Sequence, residues 1–188
     1  MARFKPEDTA MILIDHQVGT CSWIGSIDQA ALKKNTAILA KFAKLTGMPV
    51  VLTSSQETNK PGPLLPELQG ALPEAYAARI KRVGVVNAWD DENFASACRA
   101  TGKRNFVMAG ATTDMCVVSP AISAHEEGFN VKVVADACGS PTPVADQVAW
   151  LRLQQGGVEL TSTTAILAEL VKDWSSPAGR VAFGLLMG

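Results

Sequence analysis

NFVMAGATTDMCVVSPAISAHEEGF, residues 105–129, passes from a short apolar run into a segment that begins a helix. The run ends at Gly110, and its apolar character is typical of a strand that is covered on both faces. Cys116 follows at the point where the strand gives way to the start of the helix. Pro120 leaves two alternatives open: the helix is kinked there, or a loose turn carries Cys116 and the regular helix begins at Ser119 and Pro120.

Similar apolar runs alternate with amphipathic helical patterns along the rest of the chain. The predicted strands are AMILID (10–15), PVVLTS (49–54), NFVMAG (105–110), NVKVVADA (130–137) and VEL (158–160). The predicted helices cover 26–47 with a capping box of Ser26 and Gln29, 90–102 with a cap at Asp90 and a stop at Gly102, 140–157, and 165–174. The segment 79–89 is ambiguous between a short strand and a turn. The alternation predicts an α/β fold with helices on both faces of a parallel sheet, in one domain spanning residues 1–188.

Composition restricts the classes of function. The 188 residues are 47% hydrophobic and 19% charged, as in a compact soluble protein. Because 17 basic residues are balanced by 18 acidic ones, no basic excess indicates nucleic acid or a membrane surface as partner. The sequence shows neither a signal-peptide pattern nor an apolar stretch of membrane-spanning length, which favours the cytoplasm. Neither a metal-ligand spacing of the four cysteines nor a nucleotide-binding motif is found, so we expect free thiols and no cofactor.

Ligands of parallel α/β sheets bind beyond the carboxyl ends of the strands. Cys116 lies at such an end, where the helix dipole is expected to lower the pKa of its thiol and favour a nucleophile, with a buried packing role as the alternative. Asp15 ends an otherwise apolar strand, so its carboxylate is a candidate general base, with helix capping or loop bonding as the alternative. His16 points to the opposite side from Asp15 if the chain stays extended.

A cation is expected to keep a thiolate and a carboxylate together, and Lys81 and Arg82 are the candidates. A basic cluster of this kind is also typical of a solvated edge. Among the other thiols, Cys98 lies on a helical apolar face and is expected to pack in the core. Cys21 and Cys138 lie in loop regions at or near the functional edge, without an obvious partner.

Three blocks of the sequence resemble a known family. MILIDHQ, a basic residue upstream of NAWDDENF, and AGATTDMCVVSPAISAHEEGF resemble the signature blocks of the isochorismatase-like cysteine hydrolases, in particular their YcaC-type branch. The likeness spans roughly residues 8–175. It implies a three-layer α/β/α fold around a six-stranded, mostly parallel, doubly wound sheet.

The same resemblance implies an Asp–Lys–Cys triad, with Asp15 as the acid and Cys116 as the nucleophile. It also implies a cis peptide bond between Ala111 and Thr112, and an oxyanion hole formed by the N–H groups of Thr112 and Cys116. Where the wider family has lysine, this chain has Arg82, and Lys81 one residue away is the alternative. The Asp-x-His metal motif of the family's nicotinamidases has no counterpart in SSQET (54–58), so no metal is expected.

The resulting prediction is a metal-free cysteine hydrolase that acts on a small amide, carbamoyl or ureido compound through a thioester. Gln17, Glu57 and Trp89 are candidate substrate-binding residues, with loop or core packing as the alternative for each. Isochorismate-type ether hydrolysis is a variant within the enzyme class. A thiol redox sensor with Cys138 as resolving thiol, or a non-catalytic oligomeric scaffold, is the alternative from another class. The resemblance also predicts a homo-oligomer larger than a dimer.

Overall fold

A six-stranded parallel sheet forms the centre of the molecule in the computed structural model, which describes residues 3–188. The strands are β1 (Thr9–Ile14), β2 (Val50–Ser55), β3 (Ile80–Arg82), β4 (Asn105–Gly110), β5 (Asn130–Val134) and β6 (Glu159–Thr161). Their order across the sheet is β3-β2-β1-β4-β5-β6, and every neighbouring pair is parallel. The predicted six-stranded, doubly wound α/β sheet is therefore confirmed.

Helices cover both faces of this sheet. They are α1 (Val18–Ser22), α2 (Gln29–Thr46), α3 (Pro66–Ala71), α4 (Pro73–Ala77), α5 (Glu92–Ala100), α6 (Val118–Glu126), α7 (Pro143–Gln155), α8 (Thr163–Val171) and α9 (Pro177–Met187). One layer contains α2, α8 and α9, which pack on one another, and the opposite layer contains α5, α6 and α7. No helix within residues 3–188 combines the length and apolarity that a membrane crossing needs.

The central position of β1 and β4 explains why the sequences of these two strands are almost continuously apolar. Every residue of β1 and of β4 is buried, because each strand has a hydrogen-bonded neighbour on both sides and helices above and below. The strand order reverses at the β1–β4 pair, so a crevice opens beyond the carboxyl ends of these two strands. The fold therefore places the segments that follow β1 and β4 side by side.

Two predicted helix caps are displaced by one or two residues. Asp28, and not Ser26, caps α2, since its carboxylate accepts the Ala31 N–H at 2.8 Å. The Ser26 hydroxyl instead accepts the N–H of Ser140 at 2.9 Å, a contact that only the folded chain creates. Asp91, and not Asp90, caps α5. The ambiguous segment 79–89 contains the short edge strand β3.

Candidate active site

Three segments bring Asp15, Arg82 and Cys116 together at the carboxyl edge of the sheet. Asp15 directly follows β1, and its φ of 53° turns the chain out of the extended conformation there. Arg82 is the last residue of β3, two strands away. Cys116 lies on the turn that follows β4, the strand on the other side of β1. Residues that are far apart in sequence thus meet because parallel strands all end at the same edge.

The Arg82 guanidinium is bound on three sides. Its Nη2 donates to Asp15 Oδ2, its Nε donates to Thr53 Oγ1 at 3.1 Å, and its Nη1 donates to the Val85 carbonyl at 2.6 Å. The side chain is fully buried, so the pair with Asp15 is shielded from solvent. Lys81 points away, because neighbouring side chains on a strand alternate, and 60% of its side chain is exposed. The structure therefore pairs Arg82, and not Lys81, with Asp15.

The turn that carries Cys116 decides between the two alternatives raised by Pro120. Residues Thr113–Val117 form one π-helical turn, and the regular helix α6 begins at Val118. Pro120 is the third residue of α6, where a missing N–H costs no helical hydrogen bond. The π-helical turn runs directly into α6, since the Val118 N–H donates to the Thr113 carbonyl, and it carries the half-buried thiol. The second alternative is therefore the nearer one, but the regular helix begins at Val118 rather than at Ser119 and Pro120.

The predicted lowering of the Cys116 pKa is wrong for this structure. Burial and the charge of the Asp15 carboxylate raise the pKa of the Cys116 thiol to about 12, and the positive charge of Arg82 opposes them only in part. Burial also raises the pKa of Asp15, with Arg82 again opposing the shift. Exclusion of water disfavours the thiolate most, and repulsion by the Asp15 carboxylate adds to this effect. Consequently the thiol is protonated in the resting site, beside the charge of Arg82.

Asp15 has one oxygen available for that proton. Oδ2 accepts from Arg82, whereas Oδ1 is buried and makes no hydrogen bond of standard geometry among the described residues. The carboxyl also interacts with the Cys116 thiol, which raises the pKa of the thiol. The hydroxyls of Thr112 and Thr113, on the segment that leads to Cys116, are also buried without a partner within residues 3–188. Buried polar atoms normally have partners, so these three oxygens are unsatisfied in the single chain.

The family resemblance implies an oxyanion hole formed by the N–H groups of Thr112 and Cys116. The Ala111–Thr112 peptide bond is cis in the structure. The Cys116 N–H donates to the Thr112 carbonyl at 2.8 Å, and the Thr113 N–H donates to the Gly139 carbonyl at the same distance. An oxyanion beside Cys116 would therefore share the Cys116 N–H with the Thr112 carbonyl.

The candidate substrate-binding residues Gln17 and Trp89 instead make structural contacts. Gln17 is fully buried, and its amide bonds the Ser55 N–H, the Ser55 carbonyl and the Gly62 carbonyl at 2.9, 2.9 and 2.5 Å. Trp89 packs against Phe94, Phe106 and Phe129, and its indole N–H donates to Glu127 at 2.9 Å. Because their polar atoms have partners, the structure favours the packing alternative for both residues, and a substrate contact stays a prediction.

Glu57, the third candidate, is tied to the cations beside β3. Its carboxylate accepts from Arg79 at 2.9 Å and lies 3.7 Å from Lys81. Hydrogen bonds from Arg79 lower the pKa of Glu57, so the carboxyl is charged. The structure therefore favours a structural ion pair for Glu57 over a substrate contact.

The buried amide of Gln17 provides a test by stability. Gln17→Leu keeps the side-chain volume but leaves the Ser55 N–H and two carbonyls without partners, so we expect unfolding to become easier by about 3 kcal/mol. Urea denaturation measures this loss. Gln69→Leu, at an exposed position of α3, is the matched control and should shift the midpoint little. Equal stability of the two variants, with a raised KM for Gln17→Leu, would return Gln17 to the substrate site.

The histidine and thiols near the site are also placed by the structure. His16 is fully buried, its Nε2 bonds the Ala137 carbonyl at 2.8 Å, and burial lowers the pKa of the ring to about 4. Cys138 is buried as well, and its sulfur accepts the Gly110 N–H at 3.3 Å. Burial raises the pKa of Cys138 and of Cys21, so neither has the character of an exposed resolving thiol.

Thr53 is a site residue that sequence reasoning missed. Its hydroxyl accepts from Arg82 Nε and donates to the Ile80 carbonyl at 2.9 Å, so it positions both the guanidinium and β3. The sequence signal is a threonine within the apolar run of β2, and the structure shows that this threonine is fully buried. Such a group requires a hydrogen-bond partner, which a charged neighbour can supply.

Within residues 3–188, no three His, Cys, Asp or Glu side chains are grouped to hold a metal ion.

Comparison with known proteins gives one family. The Isochorismatase domain model matches residues 9–165, which include Asp15, Arg82 and Cys116. Probable hydrolase YcaC of Escherichia coli is 42% identical over 172 residues, covering 92% of this chain and 82% of that protein. The likeness therefore extends over almost the whole length of both chains.

Two solved structures are similar to this one in both fold and sequence. YcaC from Pseudomonas aeruginosa, described with hexane-2,5-diol and covalent acrylamide, superposes with a TM-score of 0.91 at 38% identity, covering 97% of this chain and 91% of that one. The YcaC gene product from Escherichia coli, described as an octameric hydrolase of unknown specificity, superposes with a TM-score of 0.92 at 40% identity, covering 98% and 91%.

Proposed function

This chain is a hydrolase of the isochorismatase family, and from that premise we propose that it cleaves small amide, carbamoyl or ureido compounds through a cysteine thioester, without a metal. The observation that carries the proposal is the buried group of Asp15, Arg82 and Cys116. Arg82 holds one carboxylate oxygen of Asp15, and the other oxygen is left without a partner beside the thiol. That arrangement provides a base of fixed position for a nucleophile that is protonated at rest.

The proposed reaction follows the path of the thiol proton. Asp15 Oδ1 takes the thiol proton as the Cys116 sulfur bonds to the substrate carbonyl carbon. The oxyanion that forms is held by the N–H groups of Thr112 and Cys116. The C–N bond then breaks, and the leaving amine departs with the proton from Asp15. Water next attacks the thioester and gives a proton to Asp15, which returns it to the sulfur as the acid leaves.

Arg82 acts through its charge in this scheme. An arginine stays protonated and cannot relay the proton. Its positive charge stabilises the Asp15 carboxylate, which is thereby available to accept the thiol proton. Because each of its three nitrogens already donates to a protein acceptor, we assign Arg82 a positioning role.

The charges at the site support an uncharged substrate. Arg82 is paired with Asp15 and Arg79 with Glu57, so neither guanidinium is free to bind a carboxylate, while Lys81 lies 3.7 Å from Glu57 with 60% of its side chain exposed. Isochorismate-type ether hydrolysis requires a dicarboxylate substrate and is disfavoured on this ground. The Pseudomonas aeruginosa relative is described with covalent acrylamide, and nucleophiles add to the alkene carbon of acrylamide, so that relative supports a reactive nucleophile but not amide cleavage.

Trapping of the acyl-enzyme tests the proposal. The protein is mixed with a panel of small primary amides, carbamates and ureas, quenched in acid, and examined by intact and peptide mass spectrometry while ammonia release is measured. We expect an acyl adduct on Cys116 that hydroxylamine removes, together with ammonia release. Turnover without any adduct on Cys116, even after a millisecond quench, would contradict the thioester route.

Arginine at position 82 gives a further prediction. Arg82→Lys keeps the charge but replaces a three-point fork with one ammonium, whereas Arg82→Met removes the charge altogether. We expect Arg82→Lys to lower kcat about 10-fold, and Arg82→Met to lower it about 10³-fold, with little change in KM. Lys81→Met is the control at the exposed neighbouring position and should alter kcat by less than about twofold. A larger loss in Lys81→Met than in Arg82→Met would make Lys81 the third group.

We also propose that the chain assembles into a homo-oligomer larger than a dimer. The Escherichia coli relative at 40% identity is described as octameric, which supports assembly of this chain as well. Light scattering of the purified protein tests this, and a monomer at micromolar concentration would contradict it.

A further inference from the structure

Helix α7 carries apolar side chains on two opposite sides. Ala149 and Leu153 face inward and are buried in the core of the sheet layer. Val144, Val148 and Leu151 face outward and are 66%, 52% and 58% exposed. A surface helix normally has one apolar stripe and a polar opposite face, whereas a helix that is apolar on two sides is covered on two sides. The outer side of α7 therefore lacks a cover in the single chain.

The outward residues form one continuous stripe, which we call the α7 stripe (Val144, Val148 and Leu151). Their spacing of four and then three residues places them on successive turns along one side of the helix. The polar residues that border the stripe are mostly uncharged glutamines: Gln147, Gln154 and Gln155. Arg152 is the one exposed charged residue of α7. Exposed apolar groups with few charges are typical of the centre of a protein interface.

The α7 stripe is complementary to itself. In an antiparallel pair of helices related by a two-fold axis at Val148, each Val148 faces its own copy. In the same pair, Val144 of one chain lies opposite Leu151 of the other, because the two positions are nearly equidistant from the centre. A two-fold contact requires such a self-matching surface. We propose that a second copy of this chain covers the α7 stripe through its own α7 stripe, an inference that rests on the proposed self-assembly.

This contact would be continuous with the site. The segment just before α7 is bonded to the turn that carries the thiol: Gly139 accepts the Thr113 N–H at 2.8 Å, and the Ser140 hydroxyl bonds the Asp114 N–H and carboxylate at 3.2 and 3.1 Å. The inner side of α7 also packs against this turn. Pairing of two α7 helices therefore steadies the Cys116 turn in both copies.

A cross-linking experiment tests the position of the axis. Single cysteines are placed at position 148 or 144 of the full chain with Cys116→Ser, which removes the half-buried thiol, while the other three thiols are buried. Under oxidation Val148→Cys is expected to form a disulfide with its own copy. Val144→Cys alone is not expected to do so, because its two copies lie about 12 Å apart along the helix axes. A mixture of Val144→Cys and Leu151→Cys proteins is expected to cross-link with each other.

The mass of the assembly provides a second measurement on the native site. Val148→Lys places a charge at the proposed axis and is expected to reduce the mass measured by light scattering to about half, since one of the contacts that build the assembly is lost. Leu45→Lys, at another exposed apolar position on α2, is the matched control and is expected to keep the parent mass. Circular dichroism verifies that both variants are folded.

Three results would overturn this inference. They are the absence of a Val148→Cys disulfide in the assembled protein, an unchanged mass for Val148→Lys, and a parent chain that is monomeric. None of them bears on the thioester chemistry, because acyl adduct formation on Cys116 and ammonia release are measured separately. An active monomer would therefore reject the α7 contact and leave the proposed hydrolase in place.

Discussion

Replacing Cys116 with serine is expected to lower kcat for amide hydrolysis by about 10⁴-fold or more, with little change in stability. Serine keeps the size and the hydrogen-bonding capacity of the side chain, but its hydroxyl is a far weaker nucleophile toward a carbonyl. Asp15 already meets a cysteine whose pKa is raised to about 12, so it has no reserve for a still less acidic group. Ammonia release from the best substrate of the panel measures the loss.

Cys138→Ser is the control for this experiment. Its hydroxyl can accept the Gly110 N–H in place of the sulfur, and we expect the variant to keep the parent rate. Under the alternative of a redox sensor with Cys138 as resolving thiol, both substitutions would abolish an oxidation-dependent response. Hydrolysis that survives in Cys116→Ser at the parent rate would remove the cysteine from the mechanism, as in ether cleavage that needs no thiol.

Asp15→Asn is expected to separate thiol reactivity from catalysis. The Asp15 charge raises the pKa of Cys116, so its removal leaves Arg82 as the nearest charge and lowers that pKa. Alkylation of Cys116 by iodoacetamide at pH 8 should therefore become at least about tenfold faster, one pKa unit being tenfold in thiolate. Hydrolysis should fall by about 10³-fold, because the proton no longer has an acceptor.

The pH dependence of Cys116 alkylation should show the same effect of Asp15. In the parent protein the raised pKa predicts that alkylation of Cys116 still accelerates above pH 9, whereas in Asp15→Asn the profile should move to lower pH. Asp114→Asn is the matched control, since this carboxyl bonds Ser140 and is not a cause of the Cys116 shift. Slower alkylation in Asp15→Asn would instead mean that Asp15 maintains the thiolate. Because the substitution leaves Arg82 buried without its partner, folding of the variant is verified first.

Much of the fold could be predicted from sequence, because period and apolarity report burial directly. The continuous apolar runs of β1 and β4 arise from strands that are covered on both faces, and these strands are the centre of the sheet. Helix caps were less predictable. Ser26 and Asp28 are equally good capping residues in isolation, and the contact between Ser26 and Ser140 decides between them.

The residues of the candidate site could likewise be predicted only in part. Asp15 and Cys116 could be singled out because a carboxylate and a thiol stand where apolar runs end, at the edge where parallel α/β sheets bind ligands. Gln17 shares that sequence context, yet it bonds to backbone, and Trp89 packs among aromatic rings. Sequence position identifies the edge of the sheet, but it does not specify which polar atoms remain free after folding.

The sequence by itself therefore determined the α/β architecture, the family and the location of the candidate site, since each follows from local patterns and their order. Only the tertiary structure decided that Arg82 rather than Lys81 meets Asp15, that Cys116 lies on a π-helical turn leading into α6, and that its thiol has a raised pKa. The reason is physical: strand alternation, exclusion of water and the approach of charges from three distant segments are set when the chain packs.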